Sequence, residues 1–146
     1  MSESTLRSEI VPEVHCAFPK HDSVKGNHVE LLPLHVDHID ELFENTCGTH
    51  DATRYDYLPY GPFTDINAYR EHMVGFAAAK DPQFYAIRDL SSRSLLGHIA
   101  FLRIDPKNRV IEIGHVLYGK GLQRTVGATE ALYLLANKPF EADYRR

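Results

Sequence analysis

Between residues 83 and 118 the chain changes its hydrophobic period to two, in three successive runs: QFYAIRDL (83–90), LLGHIAFLRI (95–104) and RVIEIGHVLY (109–118). Apolar residues at every second position, rich in β-branched and aromatic types, belong to strands with distinct faces. The polar stretches between the runs, SSRS and DPKN, are short enough for antiparallel hairpins, and Pro106 and Asn108 suit a tight turn. Three meander strands in a row are therefore expected, and their apolar faces need covering.

The flanking sequence supplies the cover. HVELLPL (28–34) is a β-prone stretch, after which Asp37 stands as N-cap candidate before Ile39, Leu42 and Phe43 on one helical face. YLPYGPF (57–63) is a turn-rich connector, since Pro59, Gly61 and Pro62 sit poorly in regular structure. Thr64 is then placed to cap a second helix that carries Ile66, Tyr69, Met73 and Phe76 on its apolar side. A third helix after the meander presents Ala128, Ala131, Leu132 and Leu135, and Pro139 predicts that it ends near Lys138. The expected fold class is α/β of the α+β kind, a mostly antiparallel sheet with flanking helices.

A length of 146 residues suits one domain, and 43% hydrophobic with 25% charged residues is a globular composition. The net charge of -4 disfavours a general nucleic-acid binder, yet allows a local anion site. The opening MSESTLRSEI lacks a signal-peptide core, and no stretch reaches the ~18 apolar residues of a membrane span, so a cytoplasmic protein without membrane partners is expected. Cys16 and Cys47 are too few for a disulfide framework and read as free thiols in a reducing compartment. Residues 1–27, with Pro12, Pro19 and Gly26, read as an irregular leader that lies over the domain or stays mobile; the domain proper is placed at 28–146.

The chemistry-bearing stretch is GLQRTVGATEALYLL (121–135), a glycine-rich junction between the last strand and the last helix. Gly119 and Gly121 free the backbone, Gly127 and Ala128 leave almost no side chain at the helix start, and Lys120 and Arg124 add positive charge with no acidic residue between Tyr118 and Thr129. The first turn of a helix offers N–H groups and the positive end of the macrodipole, which favour a pyrophosphate. The alternative is that the glycines merely permit a tight strand-to-helix turn.

Taken in order, VELLPL, YLPYGPF, FYAIRD, LLGHIAF, IEIGHVLY and LQRTVGATEALYLL resemble the GNAT (GCN5-related) family of acyl-CoA N-acyltransferases, in particular the branch with the ribosomal-protein alanine acetyltransferases and related fungal proteins. The resemblance covers most of residues 28–146. It implies that Gln123, Arg124, Thr125, Val126, Gly127, Ala128 and Thr129 form the pyrophosphate loop of acetyl-CoA, with Thr129 where the family often has glycine or alanine. It further implies that Val116, Leu117 and Tyr118 pair through their backbone with the pantetheine arm, as an added strand would, and that an amine attacks the thioester directly. Tyr57, Tyr60 and Phe63 then either wall the acceptor pocket or plug the core.

For the base that frees the amine, the leading candidate is Glu112, a carboxylate inside the apolar run VIEIGHV whose burial would raise its pKa. The alternative is a solvent-facing glutamate. Strict alternation puts Tyr118 on the same face as Glu112, where it can protonate the leaving thiolate or simply pack, and puts His115 on the opposite face. Relative to the family the chain stops at FEADYRR, before the strand, helix and closing strands expected next. A truncated, catalytically impaired acyl-CoA-binding module is therefore the alternative to an active enzyme, and a homodimer through the uncovered strand edge is expected. Nine histidines raise a metal site, with His35, His38, Cys47 and His50 at zinc-like spacings. The helix face between them is an ordinary core face, and no metal is expected.

Overall fold

A computed structural model describes residues 17–47, 55, 56, 58–141 and 144, apart from the side chain of Glu141. Strands β1 (Val24–Lys25) and β2 (Val29–Pro33) lead through a 3-10 turn (Val36–His38) into helix α1 (Ile39–Thr46). Helix α2 (Ile66–Ala78) follows, then β3 (Gln83–Asp89), β4 (Leu95–Asp105), β5 (Val110–Tyr118) and helix α3 (Val126–Glu141). The five strands lie in sequence order, each antiparallel to its neighbour. Among the described residues no helix is long and apolar enough to cross a membrane.

Alternation along the strands divides the interior in two. One face of the sheet buries Val29, Leu31, Tyr85, Ile87, Ile99 and Phe101 under Ala128, Ala131 and Leu135 of α3. The other buries Phe84, Ala86 and Ala100 under Ile39 and Leu42 of α1 and Tyr69 and Met73 of α2. Each fully buried large apolar side chain stabilises by about 1.5–3 kcal/mol, so a sheet covered on both faces gathers a core that a half-covered one lacks.

The expected meander and its three helices are present, with four local differences. Asp37 does not cap the first helix: it lies inside the 3-10 turn that leads into it, and that turn is capped by His35, whose Nδ1 accepts from the Asp37 N–H at 3.1 Å while His38 Nδ1 accepts from the His35 N–H at 3.0 Å. These reciprocal bonds give two members of the suspected metal set a capping role; His50 lies outside the described residues. The second helix takes Asp65 rather than Thr64 as its cap, because the carboxylate reaches the N–H groups of both Asn67 and Ala68, at 3.2 and 3.3 Å. The third runs past Lys138 through Pro139 to Glu141, and Leu132, expected on its buried face, is 44% exposed. Close to a helix end, proline removes a single backbone bond, and the Pro139 carbonyl still accepts from the Tyr144 N–H at 2.9 Å.

The fourth difference lies in the segment expected as an irregular leader. Val24 and Lys25 pair with Leu31 and Glu30, adding a strand to the sheet. Upstream of them, the Gln83 amide donates to the Pro19 carbonyl at 2.9 Å and the Tyr85 hydroxyl to the Lys20 carbonyl at 3.2 Å. Helix α3 is fastened to the same region by Glu130, whose carboxylate accepts from the N–H groups of Asn27, His28 and Val29 at 2.9, 2.7 and 2.9 Å. Burial pushes this carboxyl up, but the three backbone bonds more than offset it and hold it below its ordinary value. Replacing Glu130 with alanine is expected to lower stability by about 2 kcal/mol, since hydrogen bonds to a charged group are worth more than neutral ones but this one is partly screened by solvent. The lowered pKa means that the contribution is complete above the ordinary carboxylate value of 4.5 and fades as pH falls through the folded-state value. Urea unfolding of both chains at neutral pH checks the loss.

Candidate active site

Between Gly114 and Leu117 strand β5 carries one residue more than β4 opposite it, and towards Asp105 β4 carries one more in turn, Arg103 and Ile104 standing against Ile111. Glu112, Ile113 and Gly114 pair with Leu102, Phe101 and Ala100, whereas Leu117 and Tyr118 pair with His98 and Gly97. His115 and Val116 thus stand against Ile99 alone, and His115 takes a left-handed backbone with φ +48°. Such a bulge re-aims the side chains around it. Before it, Ile113 packs with the α3 core and Glu112 points to the α1/α2 side; after it, Tyr118 packs on the α3 side.

Two expectations from strict alternation are thereby corrected. Tyr118 does not share the face of Glu112, and its hydroxyl donates to the Ala128 carbonyl of α3 at 3.0 Å. His115 does share that face: its ring lies 5.4 Å from Phe76, 5.0 Å from Phe84 and 5.7 Å from Tyr60, stacked on the last. The burial expected of Glu112 is also absent. Its side chain is 45% exposed and its carboxylate accepts from Arg103 Nη1 at 3.0 and 3.2 Å.

Around His115 the α1/α2 side gathers a polar cluster inside an aromatic one. The Tyr60 hydroxyl and His115 Nδ1 are 3.0 Å apart, and His72 lies 4.5 Å from the Tyr60 ring and 4.7 Å from Phe76. The proline-rich connector turns Tyr60 and Phe63 towards each other and towards His72, while Tyr57 lies outside the described residues. His98 is wholly buried on β4, and its Nδ1 meets the His115 carbonyl at 2.8 Å. A carbonyl only accepts, so His98 Nδ1 holds the proton and Nε2 is bare, with no hydrogen-bond partner among the described residues. Burial drives the His98 pKa down to about 4 against the bond to His115, and burial lowers His72 and His115 as well. All three imidazoles are neutral at neutral pH. Burial also raises the Tyr60 phenol, which stays protonated.

The glycine-rich junction is a run of tight turns. Gly119 donates to Leu96 at 2.7 Å, and its carbonyl accepts from Leu122 and Gln123, both at 3.0 Å. Arg124 adopts φ +61°. Thr125 is the cap of α3: its hydroxyl donates to the Leu122 carbonyl at 2.6 Å and accepts from the Ala128 N–H at 3.3 Å. Gln123, Arg124, Thr125, Val126 and Thr129 are exposed around the first turn, and Ala128 is buried. Gly127 also turns inward. A Cβ there would meet Val29 at 2.9 Å, so its bareness lets α3 approach β2 instead of clearing a path for phosphate.

On the outer side of β5, Val116 is exposed and Leu117 buried. That strand forms the end of the sheet, so among the described residues its outer edge has no strand beside it. An extended edge with an exposed helix N-terminus at its end is a surface suited to an extended, amide-bearing ligand that finishes in phosphates.

Solved structures share this fold. A GCN5-related N-acetyltransferase from Brucella melitensis superposes with a TM-score of 0.86 at 32% identity, over 89% of this chain and 60% of that one. The fold is that of the GNAT acetyltransferases. A probable GNAT-family acetyltransferase from Chromobacterium violaceum ATCC 12472 gives 0.82 at 32% identity, over 90% of this chain and 66% of that one. RimL, a ribosomal L7/L12 alpha-N-protein acetyltransferase, shares the fold at 0.69 and 18% identity, over 83% of this chain and 65% of that one. The chain thus spans about two thirds or less of the length of the GNAT structures it matches. No protein-family model matches it, nor does any curated protein sequence.

The histidine cluster escaped the sequence reading, although a signal for it was present. Gly97–His98 and Gly114–His115 repeat a glycine–histidine pair within two neighbouring strands, and an isolated glycine in a strand is a bulge signal. Allowing for a bulge at Gly114 would have reversed the faces assigned to His115 and Tyr118.

Proposed function

We propose that this GNAT-fold chain is an acyl-CoA N-acyltransferase that moves an acetyl group from acetyl-CoA to a primary amine by direct attack. The observation that carries the reading is the 32% identity to GNAT structures at TM-scores of 0.86 and 0.82. The junction supports it: the N–H groups of the first turn of α3, with Arg124 beside them, suit the diphosphate. In this reading Gln123 to Val126 and Thr129 face the cofactor, Gly127 and Ala128 set the helix against the sheet, and the main chain of Val116 to Tyr118 pairs with pantetheine. Tyr60 and Phe63 border the acceptor side, and Tyr118 braces α3. Glu112 keeps a peripheral place because Arg103 already holds it. The acceptor is a peptide N-terminus, a polyamine or a small metabolite amine.

Calorimetry with acetyl-CoA tests the cofactor site. Wild type is expected to bind, and Arg124→Glu to bind at least about tenfold more weakly, since it exchanges a cation for an anion beside the diphosphate. Wild-type binding that the charge reversal leaves unchanged removes this site from the reading. Following free thiol from acetyl-CoA with candidate amines then tests transfer: binding without thiol release supports an acyl-CoA-binding module instead.

A further inference from the structure

Resting on the acyltransfer reading, we propose that His115 is the catalytic base that takes the proton from the attacking amine, with Tyr60 and His98 as the positioning residues that hold its ring and its main chain. Three observations converge on it. The bulge places His115 in a backbone conformation disfavoured for any residue but glycine, and its effect is to bring the imidazole to the Tyr60/Phe76 side of the sheet. Its ring is fixed by the Tyr60 hydroxyl at 3.0 Å and its carbonyl by His98 Nδ1 at 2.8 Å, so side chain and main chain are each held by a separate partner. The residue also directly precedes Val116 to Tyr118, the stretch assigned to the thioester-bearing arm, which brings a base and the carbonyl under attack to one place on the strand.

Glu112 lies three residues earlier, 45% exposed and occupied by Arg103. The titratable groups facing His115 are Tyr60 from the connector, His72 from α2 and His98 from β4, with Glu112 and its Arg103 partner further along the same side. The imidazoles and the phenol are neutral at working pH, and burial and His72 hold the His115 pKa below its ordinary value, so the ring is available unprotonated.

In the working tautomer Nδ1–H donates to the Tyr60 oxygen and Nε2 is bare. The lone pair of an unprotonated amine forms the N–C bond to the thioester carbonyl, and the N–H proton passes to Nε2. The C–S bond then breaks, the electron pair leaves on sulfur, and the imidazolium returns the proton to the thiolate directly or through water. The products are the amide and free coenzyme A.

The test uses the full 146-residue chain with acetyl-CoA and a panel of primary amines that contains a free-N-terminus peptide and spermidine. Thiol release is followed against pH for wild type, His115→Gln, Tyr60→Phe and Glu112→Gln, with acetyl-CoA affinity measured separately. His115→Gln is expected to lower kcat about 10²–10³-fold, within the range of general-base catalysis, at unchanged acetyl-CoA affinity, and to abolish the acidic limb of the pH profile. Tyr60→Phe should shift that limb, and Glu112→Gln should leave both rate and profile within about threefold. Should His115→Gln fail to fold, wild type decides: the acidic limb of kcat/KM must coincide with the His115 titration seen by NMR, and a limb elsewhere overturns the assignment. Wild-type rate and profile in His115→Gln, with acetyl-CoA bound normally, overturn the base role while acyl transfer stands. Binding with no amine turned over by wild type also overturns that role. No acetyl-CoA uptake at all removes the acyltransfer reading, and the base role with it.

Discussion

Acidified from neutrality to about pH 5, the chain loses about 2 kcal/mol of stability, rising to about 3 kcal/mol at about pH 4, through the buried imidazole of His98. The sign follows from its folded-state pKa of about 4 against an ordinary value of 6.5. Below 6.5 the unfolded chain takes up a proton that the folded chain refuses, so stability is complete above that value and declines down to the folded-state pKa. His72 and His115 are lowered too and steepen the same slope, whereas the Glu130 contribution enters only below 4.5. His98→Leu is expected to be less stable at neutral pH, because the His115 carbonyl loses its donor, but to show a clearly flatter dependence between about pH 6.5 and 5. Urea midpoints at stepped pH provide the measurement. Parallel curves for the two proteins would show that His98 is not the group that titrates.

A methyl group at Gly119 is expected to destabilise the fold by about 3 kcal/mol, the upper end of ordinary overpacking. The added Cβ would lie 2.4 Å from the Asn45 carbonyl oxygen and 2.7 Å from that of Leu96. Both atoms are backbone, one leaving α1 and one in β4, and neither can swing away as a side chain would. Gly75, within α2, has nothing within 4 Å of the same position. Gly75→Ala is therefore expected to stabilise by about 0.5–1 kcal/mol through helix propensity. The pair separates packing from propensity in one thermal-denaturation experiment, and a Gly119→Ala chain melting with wild type would show that α1 and β4 yield where they enclose the turn.

The period-two runs and their polar breaks made the meander legible, because alternation and turn chemistry are local and agree with each other. Helix ends were less so: Asp65 displaces Thr64 because its carboxylate reaches two N–H groups, and Asp37 falls inside a 3-10 turn capped by His35, a geometry that residue type alone does not disclose. Gly127 was legible as a junction residue but not as a contact with Val29, which lies about a hundred positions away. The site suffered most from one assumption. Counting faces by strict alternation through Gly114 sent His115 to one side and Tyr118 to the other, and both were reversed by an extra residue whose presence depends on pairing with β4. Pairing across strands is tertiary information, and no composition of β5 taken alone contains it.

That surplus residue leaves the two halves of β5 with opposite parity. Substitutions along the strand preserve the parity, so each position keeps its side of the sheet whatever it carries. Removing or adding one residue there exchanges what looks at α2 and what looks at α3 on one side of the irregularity. The strand is thus far more tolerant of altered identity than of altered length.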